Sequence, residues 1–267
     1  MELKFTKVSG LGNDFILIDN RDGKLIGDER EFFRKICQRR IAVGSDGVIL
    51  LEKSDRADFK YRHFNSDGSR AEMCGNGARC IAYYAVQKGI ADSSLLFEMN
   101  DVIYQATVEQ NNVSIQMPSP TEIRTDLNIK IENSLSLGGF VRIGVPHLVL
   151  FSDDVMHLDV NEIGRKYRYH PAFTEGTNVN FVQIVDSRTI KIRTYERGVE
   201  AETLACGTGA VSSGIISFVQ KNIHPPISVI TMGGFLTIEF ADQFNPLYLI
   251  GEAKIVYEAE MIDLDLK

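Results

Sequence analysis

Residues 71–80 read "AEMCGNGARC" and continue through "IAYYAVQKG" to Gly89. Cys74 is followed at once by Gly75, Asn76 and Gly77, and the apolar residues after them fall at helical spacing. Residues 205–210, "ACGTGA", repeat the device: Cys206 precedes Gly207, Thr208 and Gly209, and a second helix-like run extends to Gln220. Two thiols, each at the mouth of a glycine-rich turn that opens a helix, point to one unit built twice.

The flanking segments support the repeat. Before and after the first helix lie short alternating runs that read as strands: "LKFTKV", "FILID", "GVILLE", "FKYRHF", "SLLFEM", "IYQATVE" and "NVSIQM". A further helix-like stretch covers 29–42. The second half has the same style, in "FVRIGV", "HLVLF", "NVNFVQIV", "IKIRTYE", "ISVITM", "FLTIEF", "LYLIG" and "AKIVYEAEMI". "EMCGNGARCIA" echoes "LACGTGAVSSG", and "GNDFILID" (12–19) echoes "NVNFVQIVD" (178–186), in the same order. The reading is an internal duplication in an α/β chain of the α+β kind. Its pseudo-twofold would face equivalent loops across a cleft. The proline-containing polar stretch "MPSPTEIRTDLNIKIENS" is the expected junction. It gives a first domain over 1–118, joined by a tail over 255–267, and a second over 119–254.

Bulk composition narrows the function. The 267 residues are 44% hydrophobic and 24% charged, enough for two domains with their own cores. A net charge of −7 argues against a nucleic-acid partner. The one basic cluster, Arg34, Lys35, Arg39 and Arg40, reads as a solvated helix face near Glu29 and Glu31. No apolar run reaches the length of about 18 residues that a membrane span needs. "MELKFTKVSG" lacks the apolar core of a secretion signal. The thiols Cys37, Cys74, Cys80 and Cys206 are therefore expected to be reduced, in the cytoplasm. There is no CxxC pair and no histidine at zinc spacing, so no metal is expected. There is no Walker pattern, and "CGNGAR" lacks the third glycine and acidic partner of a dinucleotide site, so no cofactor is expected either.

A thiol before a glycine turn has a chemical use. A helix N-terminus presents free N–H groups and the positive end of the macrodipole, which favours a thiolate by up to roughly 2 kcal/mol. Glycines let backbone N–H groups approach an anion such as a carboxylate. Two such thiols facing each other suit stereoinversion: one removes a proton from a carbon acid, the other returns one to the opposite face, and donors to the carboxylate stabilise the carbanion.

The motifs "GLGNDF", "FNSDGSRAEMCGNGARC", "EGTNVNF" and "YERGVEAETLACGTGA" resemble those of the cofactor-independent diaminopimelate epimerases, over nearly the whole chain. The resemblance implies two similar domains of antiparallel-rich strands, each wrapped around a central helix, with the active site between them. It implies a small amino-acid substrate, LL- or meso-diaminopimelate, in lysine and peptidoglycan precursor synthesis. Cys74 and Cys206 resemble the acid–base pair. Asn13, Asn65, Asn178, Glu196 and Arg197 resemble the ligands of the distal amino-acid centre. Gly75, Asn76, Gly207 and Thr208 resemble the carboxylate-holding groups at the reacting centre, and His147 resembles a supporting residue near the first thiol. Two positions depart from the family pattern: Val145 where relatives carry Asn before Pro-His, and Met99-Asn100-Asp101 where a small-residue turn is expected.

Other readings remain open on the residues alone. A two-thiol racemase for histidine or a proline derivative shares the same logic, and a redox or amino-acid-binding protein could pair Cys74 with Cys80. Cys37 and Cys80 read as buried structural thiols. Asn13 could be a turn residue, His147 a satisfied core histidine, and Glu196 with Arg197 a surface ion pair. Asp14 and Asp67 read as turn or cap residues. The sequence does not set the oligomeric state, and a homodimer is compatible with it.

Overall fold

The computed structural model describes residues 2–25, 29–131 and 134–262, the side chains of 130–136 excepted. The chain divides into two compact units, Met1–Ile115 with Gly251–Lys267, and Gln116–Ile250.

The first unit begins with the strands β1 (Leu3–Gly10) and β2 (Asn13–Asp19), followed by helix α1 (Arg30–Ile36) and strands β3 (Gly47–Glu52) and β4 (Phe59–Asn65). Helix α2 (Gly75–Gln87) follows, then β5 (Ser94–Met99), β6 (Val102–Glu109) and β7 (Asn112–Met117). Leu11 and Gly12, at φ 57° and 84°, make the tight turn of the β1–β2 hairpin. β2 runs parallel to β3 across α1, and β4 runs parallel to β5 across α2. The pairs β1–β2, β3–β4, β5–β6 and β6–β7 are antiparallel. α2 packs against β1, β2, β3, β4 and β6, so the sheet curls around it. Its buried Ala78, Cys80, Ile81, Ala82 and Ala85 are small enough to allow that. On the other side α1 seals a second cluster, with Phe32, Phe33 and Ile36 against Phe5, Ile16, Val48 and Phe64. The Asn100-Asp101 turn, unusual against the family pattern, takes φ 49° and 65° between β5 and β6, a conformation asparagine and aspartate tolerate.

The second unit repeats the plan. It contains β8 (Glu122–Ile131), β9 (Ser134–Ile143), β10 (Val145–Phe151), α3 (Val160–Arg168), β11 (Asn178–Ile184), β12 (Thr189–Glu196) and β13 (Ala201–Thr203). Helix α4 (Gly207–Lys221) and strands β14 (Ile227–Thr231), β15 (Gly234–Phe240) and β16 (Leu247–Glu252) complete it. β10 is parallel to β11 across α3, and β12 is parallel to β14 across α4. The neighbours β9–β10, β11–β12 and β14–β15 are antiparallel. α4 packs against β9, β10, β11, β12, β14 and β15, as α2 does in its own unit. Finally β17 (Lys254–Met261) returns to the first unit and pairs antiparallel with β1; residues 263–267 of the expected tail lie outside the described residues.

Four sequence readings need correction. The helix expected over 29–42 stops at Ile36, where Cys37 caps it, because Arg40 and Gly44 take φ 72° and 76°. The polar stretch expected as a junction begins beside the division between the two units, but it carries a strand, β8, paired with β9. α3 was not anticipated. The connectivity also pairs the repeats differently: β2 corresponds to β10 and β3 to β11, since each pair is parallel and spans the shorter helix. "NVNFVQIV" is thus the counterpart of "GVILLE" rather than of "GNDFILID".

Candidate active-site thiols

Cys74 and Cys206 are the N-cap residues of α2 and α4. Their backbones are nearly superposable in conformation, φ −108° and ψ 118° at Cys74 against φ −119° and ψ 116° at Cys206. Each carbonyl accepts the first helical bond, from Ala78 N–H at 2.8 Å and from Ala210 N–H at 2.9 Å. Neither side chain makes a capping hydrogen bond to its own helix, and each first turn contains two glycines. Cys206 is buried and Cys74 partly so, and none of the four cysteines is in a disulfide.

In the first unit a polar chain runs one way. Arg79, fully buried, donates through Nη1 to Gly75 O at 3.2 Å and through Nη2 to Asn76 Oδ1 at 2.7 Å. Asn76 Nδ2 donates to Asn13 Oδ1 at 3.4 Å, and Asn13 Nδ2 donates to Asp46 Oδ2 at 2.6 Å. Each amide orientation is set by its neighbour, and Asn13 is left with its carbonyl oxygen toward Cys74 Sγ, at 3.8 Å. Asp46 also accepts from the Asp14 N–H at 3.0 Å and from Arg39 Nη2 at 2.8 Å. Asp14 in turn bonds Arg39 and forms an ion pair of 2.7 Å with the buried Lys7, which also donates to Gly44 O. Burial pushes the Asp14 carboxyl up, but Arg39 and Lys7 outweigh it and hold it below the ordinary range. Burial carries the Cys80 thiol to about 12, so it stays protonated, and raises Cys37 too.

In the second unit His147, fully buried, lies between Asn180 and Thr208. Its Nδ1 is 3.2 Å from Asn180 Nδ2, and its Nε2 is 2.9 Å from Thr208 Oγ1. Thr208 Oγ1 is 3.6 Å from Cys206 Sγ. Burial, and then the charge of Arg197, takes His147 down to about 3 against a weaker upward pull from Asn180, so the ring is neutral. Asn178 spends its side chain on backbone: Nδ2 donates to Pro146 O at 2.9 Å, and Oδ1 accepts the Arg197 N–H at 2.8 Å. Arg197 Nη1 donates to Glu175 O at 3.3 Å. Burial pushes the Glu196 carboxyl up. Among the described residues there is no grouping of three or more His, Cys, Asp or Glu suited to hold a metal ion.

A family model described as "Diaminopimelate epimerase" matches residues 5–122 and 139–256. A diaminopimelate epimerase of Aquifex aeolicus is 41% identical over 97% of this chain and 98% of its own length. Another, from Archaeoglobus fulgidus, is 40% identical over 97% of this chain and 96% of its own. The chain belongs to the diaminopimelate epimerase family. Among solved structures, a phenazine biosynthesis protein of the PhzF family from Bacillus anthracis superposes with a TM-score of 0.75, at 15% identity, over 98% of this chain and 99% of its own. A probable proline racemase from Agrobacterium radiobacter gives 0.71 at 12% identity, over 98% and 93%. Both share the fold.

For this diaminopimelate epimerase family member, the structure gathers Asn13, Asn76, Gly75 and Cys74 in one cluster and His147, Thr208, Gly207 and Cys206 in another. Asn65 stands apart from the first cluster: it is exposed at the end of β4, with Nδ2 donating to Ser69 Oγ at 3.1 Å. Glu196 and Arg197 are adjacent but do not pair with each other. His147, expected near the first thiol, makes its hydrogen bond to the second thiol's motif. Asn13 is more than a turn residue, because both ends of its amide are engaged. Arg39 stays exposed, as expected, but lies beyond α1 and pairs with Asp14 and Asp46, and Asp14 is part of that network rather than a plain cap. Asp67 does behave as a turn residue, accepting from the Ser69 N–H at 2.9 Å.

Asp46, Arg79 and Asn180 were missed. Asn180 carried a signal: two residues after Asn178 on a strand, it shares that residue's face. Arg79 carried one too, since on a helix its position reaches back to Gly75 and Asn76. Asp46 carried none, because it lies in the loop before β3, 33 residues from its partner Asn13 on β2.

Proposed function

We propose that this protein is a cofactor-independent epimerase interconverting LL- and meso-2,6-diaminopimelate, a small amino-acid substrate of lysine and peptidoglycan precursor synthesis, in the cytoplasm. The observation that carries the reading is the matched pair of N-cap thiols, Cys74 and Cys206, alike in backbone and each opening a glycine-rich helical turn. Membership of the family supports the substrate.

In the proposed reaction one thiolate takes the Cα proton while the other thiol delivers its proton to the opposite face. The configuration inverts, and the thiolate and thiol have exchanged roles. Cys74 is the base in one direction and Cys206 in the other. The first-turn groups Gly75, Asn76, Gly207 and Thr208 supply donors for the α-carboxylate, whose charge grows toward the carbanion. Arg197 suits the distal carboxylate, and Glu196, Asn13, Asn65 and Asn178 are assigned to the distal amino-acid head or its support.

The test is proton NMR of LL-diaminopimelate in deuterium oxide with reduced protein. Loss of the Cα signal with growth of the meso isomer is expected, and Cys74→Ala and Cys206→Ala should each abolish it. A variant lacking one thiol that still inverts at near the wild-type rate rules out two-thiol chemistry. Folded, reduced protein that exchanges no Cα proton rules out this substrate.

A further inference from the structure

We propose that Asn180 is a positioning residue that fixes His147 as its Nε2-protonated tautomer, so that the Thr208 hydroxyl donates its hydrogen to the Cys206 sulfur. The inference deepens the reading of Cys206 as an acid–base thiol and rests on it for its catalytic meaning.

The argument is one of donor and acceptor counting. Asn180 is fully buried on β11. Its Nδ2 lies 3.0 Å from Leu148 O and 3.2 Å from His147 Nδ1, and its Oδ1 accepts from Thr194 Oγ1 at 3.0 Å. The amide has two hydrogens and two acceptors for them. A flipped amide would set its oxygen against the Leu148 carbonyl with no hydrogen between them. His147 Nδ1 is therefore an acceptor. A neutral imidazole carries one proton, and burial with Arg197 nearby keeps this ring neutral. That proton sits on Nε2 and is donated to Thr208 Oγ1, at 2.9 Å. The threonine hydrogen must then point elsewhere, and Cys206 Sγ at 3.6 Å lies within reach.

A donor aimed at the sulfur favours the thiolate over the thiol. The hydrogen bonds of Asn180 go to Leu148, His147 and Thr194 and not to the sulfur; its Oδ1 packs against Gly209 of the turn, and the ring carries its polarity toward Cys206. Asn180→Asp keeps the shape but replaces the donor by an acceptor. His147 would then carry its proton on Nδ1, Nε2 would accept, and the Thr208 hydroxyl would turn from the sulfur to the ring.

Two measurements test this without substrate, so a failure of epimerase turnover would sink the functional reading and leave this one standing. In protein with 15N-labelled histidine, the ring signals of His147, assigned by their loss in His147→Gln, should show Nε2 protonated and Nδ1 bare. The opposite tautomer overturns the proposal. Alkylation of Cys206 by iodoacetamide at pH 7, mapped by peptide mass, should slow about tenfold in Asn180→Asp, the effect of losing one hydrogen bond to a charged sulfur. Cys74 should alkylate at its wild-type rate. Thr208→Val should reproduce the slowing and Thr208→Ser should remove it, which keeps the test intact if Asn180→Asp does not fold. An unchanged Cys206 rate in folded Asn180→Asp or in Thr208→Val overturns the proposal.

Discussion

Two glycines on α4 give a paired prediction in which the same chemical change has opposite signs. A Cβ built on Gly209 falls well inside 3.0 Å of Asn180 Oδ1 and also meets Cys206 Cβ at 3.2 Å and Sγ at 3.3 Å. A Cβ on Gly214 meets nothing nearer than Ile238 at 3.5 Å, an ordinary contact. Asn180 cannot yield freely, because bonds to Leu148, His147 and Thr194 hold it. A shift of roughly half an ångström would stretch bonds of this length past the limit of a useful hydrogen bond. Losing one or two such bonds at about 1 kcal/mol each, with overpacking of about 1–3 kcal/mol, outweighs the 0.5–1 kcal/mol or so that alanine gains over glycine inside a helix. Gly209→Ala should therefore lose about 2 kcal/mol or more, and Gly214→Ala should gain roughly half a kcal/mol or more. Thermal unfolding of the two variants beside wild type reads this as Tm shifts of opposite sign, by several degrees for Gly209→Ala. The reasoning is refuted by a Gly209→Ala protein as stable as wild type, or by two variants that move together.

Three further outcomes follow from buried groups. A Cβ on Gly77 collides with the Tyr61 hydroxyl, which is buried without a hydrogen-bond partner among the described residues; Tyr61→Phe alone should be neutral or stabilising and should recover part of the loss caused by Gly77→Ala, as a double-mutant cycle in urea would show. Burial lowers His63 to about 4, so the unfolded chain, with a histidine pKa of about 6.5, binds the proton first; the stability present above pH 6.5 or so is lost as pH falls toward 4, at up to about 1.4 kcal/mol per unit. His63→Phe, whose ring fits between Phe15 and Tyr61, should flatten that decline in Tm against pH. Arg79→Lys keeps the charge but cannot reach both Gly75 O and Asn76 Oδ1, and should cost about 1–3 kcal/mol in urea unfolding.

Much of this architecture was legible because the strands alternate and the two long helices are punctuated by glycine. "FKYRHF" and "IKIRTYE" show period two, and Gly75, Gly89 and Gly207 mark helix ends. β8 was not legible because its pairing with β9 slips between Arg124 and Leu127, and Asp126 takes φ 57° there; the irregularity breaks the alternation that would announce a strand. α3 was legible and overlooked: Asp159 accepts the Glu162 N–H at 2.9 Å, a cap of the form written in "DVNE", and Val160 and Tyr167 share its buried face. The thiols and their turns could be read from local spacing. Asp46 behind Asn13, or Thr194 behind Asn180, could not, since each contact is made by strand pairing between segments far apart in the chain.

The repeat also explains why two similar backbones can do unlike work. The N-cap conformations of Cys74 and Cys206 agree closely, so what distinguishes the thiols is side-chain substitution on a shared frame. Position by position, Asn76 in the first motif is Thr208 in the second, Arg79 is Val211, and Cys80 is Ser212. The polar chain behind Cys74 starts at Arg79 and ends at Asp46, so every amide along it turns its oxygen back toward Arg79, and the sulfur meets the Asn13 carbonyl, an acceptor. The chain behind Cys206 starts at the Asn180 amide nitrogen and, in the tautomer proposed above, ends with a hydroxyl hydrogen on the sulfur. An acceptor favours the protonated thiol and a donor the thiolate. A symmetric pair of bases would start each turnover with no preference for which thiol holds the proton. In the two-thiol reaction and the tautomer proposed above, opposed chains on matched helices would set one, and Thr208→Asn, the residue of the first motif, should weaken it by removing the hydroxyl that carries the polarity to Cys206.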